Sequence, residues 1–65
     1  MRLEIHIDLD GEAFDDNPSI EVCRILSTLM AKLSALSASD WEEEPFVPLL
    51  DVNGNKAGYA EVYHD

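Results

Sequence analysis

Apolar residues occupy every second position at the start of the chain, and this alternation constrains the fold more than any other feature. Leu3, Ile5, Ile7 and Leu9 are each followed by a charged or polar residue. A period of two places the apolar side chains on one face of a β-strand and the charged ones on the other. The sequence therefore predicts a strand over 2–9 that pairs with other strands and is covered on its apolar face.

A second apolar pattern, with helical spacing, follows an acidic loop at 10–16. Asn17 and Pro18 are favourable at the N-cap and in the first turn of a helix, and the apolar residues after them recur every three or four positions. The pattern predicts a helix over 18–37, with Phe14 folding back from the preceding loop onto the core. The apolar stripe of this helix consists of Val22, Ile25, Leu26, Leu29, Leu33 and Leu36.

Two further strands are predicted near the end of the chain. Phe46–Val52 and Gly58–Tyr63 are extended in character, and Asn53–Lys56 between them has the residues of a hairpin turn. Pro48 has no N–H to donate to a ladder and therefore favours an edge strand. The sequence thus predicts an α+β fold, β-α-β-β, with a three-stranded antiparallel sheet in the order 1-3-2 and one helix packed on one face. We expect one small domain over 1–65, because a chain of this length has room for one small core.

The helix has two features that are separate from its apolar stripe. The opposite face is small and almost uncharged, and it is either a solvated surface or a second contact surface for a partner or another copy. Its residues are Ile20, Ser27, Ala31, Ser34 and Ala35. Cys23 lies at the edge of the stripe, where we expect a half-buried thiol that fills the rim of the core. Its acidic surroundings do not favour a reactive thiolate.

Acids are concentrated in the two end segments of the chain. The sequence has 14 Asp and Glu against 4 Lys and Arg, a net charge of −10. Residues 1–16 carry −5, 17–39 carry +1 and 40–65 carry −6. Such an excess destabilises a small domain through self-repulsion. The acids either keep the protein soluble or face a basic protein partner, and the excess over what solubility requires favours the partner. Nucleic acid and anionic membranes would be repelled.

The chain shows no signature of catalysis, cofactor binding or metal binding. Asp51–Asn55 has the spacing that opens a calcium loop, but Lys56 and Val62 occupy the positions that need glycine and a bidentate acid. A polar hairpin turn is predicted there instead. His6 and His64 lie on different strands without ligand spacing. We expect a non-enzymatic, cytoplasmic protein without cofactors, since one cysteine forms no internal disulfide and we find neither a signal peptide nor a membrane span.

The candidate partner-binding residues are acids of both end segments and two aromatic residues. Trp41 is either a loop aromatic folded over the edge of the core or an interface anchor surrounded by acids, and Tyr59 has the same two interpretations. The full set is Glu4, Asp8, Asp10, Glu12, Asp15, Asp16, Trp41, Glu42, Glu43, Glu44, Tyr59 and Glu61.

Three parts of the chain resemble a group of small phage-encoded proteins: Leu3–Asp8, Phe14–Pro18 leading into Arg24–Leu26, and Leu50–Gly58. The best-defined role among small acidic phage proteins is that of an anti-CRISPR. The chain is similar in size and charge to inhibitors of type I surveillance complexes, and type I-C is the suspected target. The resemblance implies a non-enzymatic inhibitor in the cytoplasm of an infected bacterium that occupies a basic DNA-binding surface of the complex.

DNA mimicry of this kind needs carboxylates at a spacing close to that of phosphates. Alternate residues of a strand lie about 6.5–7 Å apart, and we expect Glu4, Asp8 and Asp10 on one face of the first strand. The alternative function is an acidic adaptor or toxin-neutralising protein that binds another basic protein without mimicking DNA. A further alternative is a homodimeric structural protein that uses the small-residue face of the helix. We expect a monomer or a weak homodimer.

Overall fold

The computed structural model describes residues 1–64 and has the predicted β-α-β-β order of its main elements. Asp65, which contributes to the charge of the last segment, lies outside the described residues. The elements are β1 (Arg2–Ile7), a 3-10 turn (Glu12–Phe14), α1 (Pro18–Ser34), α2 (Ala38–Glu42), β2 (Phe46–Leu50) and β3 (Lys56–Tyr63).

The three strands form one antiparallel sheet in the order β1-β3-β2. In this sheet Leu3 lies opposite Val62, and Val47 lies opposite Ala60. Pro48 is on the edge strand β2, where its missing N–H costs no ladder hydrogen bond. The predicted α+β fold class and strand order are confirmed.

The core lies between α1 and the sheet, on the side of β2 and β3. Ile25 and Leu29 of α1 belong to one buried cluster with Leu49 and Ala60 of the sheet. Phe14 joins this cluster with 2% of its surface exposed, as the sequence predicts. The core therefore fixes the acidic segment before α1 as well as the helix itself.

One flank of α1 is more exposed than the sequence predicts. Leu26 was expected in the buried stripe and Cys23 at its half-buried rim, but both are exposed, as is Met30 on the same flank. The reason is that α1 packs against β2 and the 3-10 turn rather than over β1. The flank that faces β1 is consequently left uncovered.

The first half of the chain differs from prediction at the ends of its elements. β1 was expected to reach position 9 but ends at Ile7, because the backbone N–H of Asp10 donates to the Asp8 carboxylate at 3.1 Å and the chain turns. The helix was expected to continue to position 37 but ends at Ser34. The short helix α2 then begins after Ser37, whose hydroxyl and backbone exchange hydrogen bonds with Asp40 in a capping box.

The hairpin turn also begins earlier than predicted, and the returning strand β3 begins at Lys56 rather than at Gly58. The first hairpin strand was expected to end at Val52 but ends at Leu50. The Asp51 carboxylate is buried and accepts hydrogen bonds from the backbone N–H groups of Asn53 and Asn55, each at 2.9 Å. These bonds make 51–55 the polar turn that the sequence predicts in place of a calcium loop.

Gly58 marks a close approach of β3 to β1. A Cβ at this position would overlap the carbonyl oxygen of His6 and lie 2.8 Å from its carbonyl carbon. Any side chain here would push the two strands apart, so glycine is required by the packing of backbone on backbone.

Candidate partner-binding surfaces

Two clusters of exposed acids lie at opposite ends of the sheet. The first acidic cluster, between β1 and α1, consists of Asp8, Asp10, Glu12, Asp15 and Asp16, all exposed. The second acidic cluster, at the end of α2, consists of Glu42, Glu43 and Glu44, also exposed. The first lies beside the start of β3 and the second beside its end. Since β3 has eight residues, these ends are about 25 Å apart.

The first acidic cluster is held on a fixed backbone. Phe14 is buried, and its N–H donates to the carbonyl of Gly11 at 3.0 Å within the 3-10 turn. Among residues 1–64, no ion pair joins a carboxylate of this cluster to a base. The neighbouring Asp8 raises the pKa of Asp10, through a hydrogen bond between the carboxyls and through charge repulsion. This end of the molecule therefore presents concentrated negative charge.

One member of the second acidic cluster also has a structural role. Glu44 has a backbone φ of 56°, and its carboxylate accepts a hydrogen bond from the backbone N–H of His64 at 2.9 Å. Glu44 thus ties the end of β3 to the segment before β2, whereas Glu42 and Glu43 extend from the end of α2. Trp41 lies in α2 rather than in the predicted loop, and its side chain is half-buried.

An aromatic row crosses the face of the sheet that α1 does not cover. The ring of Tyr59 stacks on His6 at 4.8 Å between centroids and on Phe46 at 5.4 Å. The ammonium of Lys56 lies 5.9 Å from the centre of the Phe46 ring. The sequence analysis names Tyr59 as a candidate but gives no signal that Phe46 would stack on it, because the face of Phe46 depends on the register of β2.

Glu4 and Glu61 lie opposite one another on this open face, in a setting that is not strongly acidic. The Glu4 carboxylate lies 3.4 Å from the Arg2 guanidinium and 3.4 Å from the His6 ring. Hydrogen bonds lower the pKa of Glu4: the bond from Tyr63 has the largest effect, and those from His6 and Arg2 have smaller effects. Basic and aromatic groups therefore surround the acid that β1 contributes.

The structure corrects the expected row of carboxylates along one strand. Glu4 is the one acid within β1, while Asp8 and Asp10 lie beyond its end. The Asp8 N–H still bonds to Ala57 of β3, but the hydrogen bond from the Asp10 N–H to the Asp8 carboxylate bends the chain after Asp8, so Asp10 does not continue the strand. A phosphate-like spacing along β1 is therefore not formed by Glu4, Asp8 and Asp10.

An ion pair that the sequence analysis did not identify joins α1 to the hairpin, with Glu21 buried and Arg24 partly exposed. Both Glu21 carboxylate oxygens accept hydrogen bonds from Arg24, each at 2.9 Å, and one of them also accepts the Val52 N–H at 2.8 Å. Arg24 donates in addition to the Leu50 carbonyl at 2.9 Å. The arginine hydrogen bonds, and then that from Val52, lower the pKa of Glu21 against the effect of burial. The spacing of three residues permits the pair, but its position depends on tertiary packing.

A groove of about 190 Å³ separates the first acidic cluster from the hairpin, with Asp8, Glu12, Asp51 and Lys56 in its lining. Among residues 1–64, no three His, Cys, Asp or Glu side chains are placed to share a metal ion. No helix in the described part of the chain is long and apolar enough to cross a membrane.

Comparison with family models, curated proteins and solved structures finds no match to this chain. The resemblance of its segments to small phage proteins therefore stays a prediction.

We expect the thermal stability of the protein to rise with salt. Five exposed acids crowd one end of the sheet, and counter-ions screen their mutual repulsion. Because the pKa of Asp10 is raised, its protonation favours the folded state, so acidification through that raised pKa acts in the same direction. Thermal melts at about 20 and 500 mM NaCl measure the effect. A melting temperature that falls with salt would contradict it, and the variant Asp15→Asn/Asp16→Asn should show a smaller salt dependence.

Proposed function

We propose that this protein is a non-enzymatic inhibitor whose acidic surface binds a basic, DNA-reading surface of another protein and keeps DNA away from it. The observation that carries the proposal is the first acidic cluster, with five exposed carboxylates and no ion-paired base among the described residues. The resemblance to anti-CRISPR proteins suggests a type I surveillance complex, type I-C in particular, as the target.

The cluster has two properties that suit such an encounter. Its charge accelerates association with a cationic groove, and salt weakens that attraction steeply. The buried Phe14 and the 3-10 turn hold the backbone between Glu12 and Asp16 in place, so less conformational freedom is lost on binding than from a mobile acidic tail.

Aromatic residues supply the part of the affinity that salt does not remove. Phe46 is 54% exposed and stacks on the half-buried Tyr59. Trp41 lies next to the second acidic cluster. Burial of such rings contributes apolar contact that charge screening leaves unchanged.

The second candidate function is an acidic adaptor or toxin-neutralising protein that binds a basic partner without imitating DNA. The placement of the two acidic clusters at opposite ends of the sheet favours this alternative, since β1 contributes Glu4 alone to a carboxylate row. Both functions depend on the first acidic cluster. They differ in whether DNA and this protein compete for the same surface of the target.

A gel-shift titration distinguishes the two functions. Purified type I-C complex is first bound to labelled target duplex, and the protein is then added in increasing amounts. Since phosphates occupy the basic groove, we expect free DNA to be released without a supershifted species. A ternary complex of target, DNA and this protein would contradict mimicry and support the adaptor function. The variant with neutral amides at Asp8, Asp10 and Asp15 is the matched control.

A further inference from the structure

The two edges of the sheet are built differently. The β2 edge has Pro48, and its register shifts between Leu49 and Leu50. Both features hinder a further strand from pairing there. β1 has neither a proline nor a register shift over Arg2–Ile7. One edge is thus protected against strand addition and the other is left as a template.

The backbone groups on the β1 edge can be assigned from the ladder with β3. The N–H of Asp8 donates to the carbonyl of Ala57 at 2.7 Å, in the same register as the rest of the pair. Since hydrogen-bonding direction alternates along an antiparallel strand, even-numbered residues face β3. The N–H and C=O groups of Leu3, Ile5 and Ile7 therefore point outward at the edge.

The apolar side chains of the same residues border an uncovered groove. Leu3 and Ile5 are 39% and 43% exposed on the face that carries α1. A groove of about 370 Å³ lies between Ile5 and the flank of α1, with Leu26 and Met30 in its lining. Outward backbone groups and an apolar groove thus occur side by side, which is what an added strand requires.

We propose that the occupant of this edge is β1 of a second copy, antiparallel and related by a two-fold axis at Ile5. About six backbone hydrogen bonds would join Leu3, Ile5 and Ile7 of the two copies and extend the sheet across the dimer. Because the axis is perpendicular to the sheet, both α1 helices lie on the same side and the two apolar grooves face each other. This inference does not depend on the proposed function.

Charge complementarity between two antiparallel copies of β1 favours a second copy as the occupant and favours one pairing register. With Ile5 opposite Ile5, Arg2 lies opposite Asp8 and Glu4 lies opposite His6 of the other copy. Sliding by two residues places Glu4 opposite either Glu4 or Asp8, and like charges directly opposite destabilise a strand pair. The segment Arg2–Asp8 is therefore complementary in charge to its own reverse, and one register satisfies every pair.

The dimer should be weak at low salt, because each copy carries a net charge of −10. Sedimentation velocity from about 5 to 500 µM protein at about 300 mM NaCl measures association while screening the repulsion. Arg2→Asp and Asp8→Arg should each weaken association by about tenfold or more, and the double variant should restore it. Within one chain Arg2 and Asp8 are about 20 Å apart. Restored association in the double variant would therefore show that these residues meet between two copies. Asp16→Arg carries the same charge change as Asp8→Arg outside the pairing and should not weaken association.

Amide hydrogen exchange locates the interface. The Leu3, Ile5 and Ile7 amides should exchange rapidly in dilute protein and slowly where the dimer forms, and Ile5→Lys should remove both the protection and the dimer. A monomer over the whole concentration range would overturn the proposal. So would a dimer in which these amides stay unprotected, or in which the two charge reversals act independently, because each places the interface elsewhere.

Discussion

Reversal of Asp8, Asp10 and Asp15 to lysine in one variant is expected to abolish partner binding while leaving the fold intact. Each reversal adds two charges, so the net charge changes from −10 to −4. All three side chains are exposed, and none belongs to the buried cluster around Phe14. Loss of the steering field and of the direct charge contacts should weaken binding by about 100-fold or more. Circular dichroism measures the fold and titration calorimetry measures binding.

A matched control separates the position of the charge from its total. Reversal of Glu42, Glu43 and Glu61 to lysine gives the same net charge at the other end of the sheet and on its open face. Equal loss of binding in both variants would show that the first acidic cluster is not the particular site of contact. Binding of the first variant within a few-fold of the original would instead point to Trp41 with the second acidic cluster, or to the exposed face of α1.

The topology could be predicted because each strand carries a strong local constraint. The alternation from Leu3 to Ile7 fixes a two-faced strand, the turn at 51–55 fixes a hairpin, and Pro48 excludes the central position for β2. These constraints leave β3 in the middle. Phe14 was placed correctly for a similar reason, since a phenylalanine in a short acidic loop gains most by burial in the adjacent core.

The ends of elements and the ion pair of Glu21 with Arg24 depend on contacts that spacing does not show. β1 stops at Ile7 because of one hydrogen bond between Asp8 and the next turn. The start of α2 was readable from the capping pair Ser37 and Asp40 but was missed. Glu21 looked like an ordinary helix acid. Its burial arises because the packing of α1 brings it to the backbone of the hairpin. No local sequence pattern predicts this contact.

The candidate surfaces likewise combine features that local sequence predicts with features that depend on tertiary contacts. The exposure of the first acidic cluster followed from composition, because carboxylates without partners remain in water. The aromatic row did not follow, since stacking of Tyr59 between His6 and Phe46 requires the registers of both strand pairs. The uncovered edge of β1 was missed for a related reason. A stripe of apolar residues on α1 predicts a buried face, but not which strands lie beneath it.

Glu21→Gln is expected to lower the melting temperature at pH 7 by an amount on the order of 10 °C. The carboxylate is buried and accepts three hydrogen bonds, two from Arg24 and one from Val52. A neutral amide keeps one oxygen acceptor and turns its NH₂ group toward the guanidinium, which is left with fewer partners. Glu42→Gln at an exposed position makes the same change in net charge and should alter the melting temperature little. Differential scanning calorimetry of both variants gives the comparison.

The difference in melting temperature between Glu21→Gln and Glu42→Gln should depend on pH, and this dependence tests whether the charge of Glu21 is the stabilising feature. The folded state lowers the pKa of Glu21 from its ordinary value of 4.5, so the ionised form is favoured on folding. The stabilisation is therefore complete above the ordinary pKa and is lost as pH falls through the lower folded value. Since Glu21→Gln and Glu42→Gln have equal net charge, the general relief of repulsion in acid cancels between them. Their melting temperatures should differ by a constant amount above about pH 5.5 and converge as pH falls below about 4. A difference that persists at low pH would show that the charge of Glu21 is not the cause, because protonated Glu21 and Gln have nearly the same shape and differ only in their hydrogen-bonding groups.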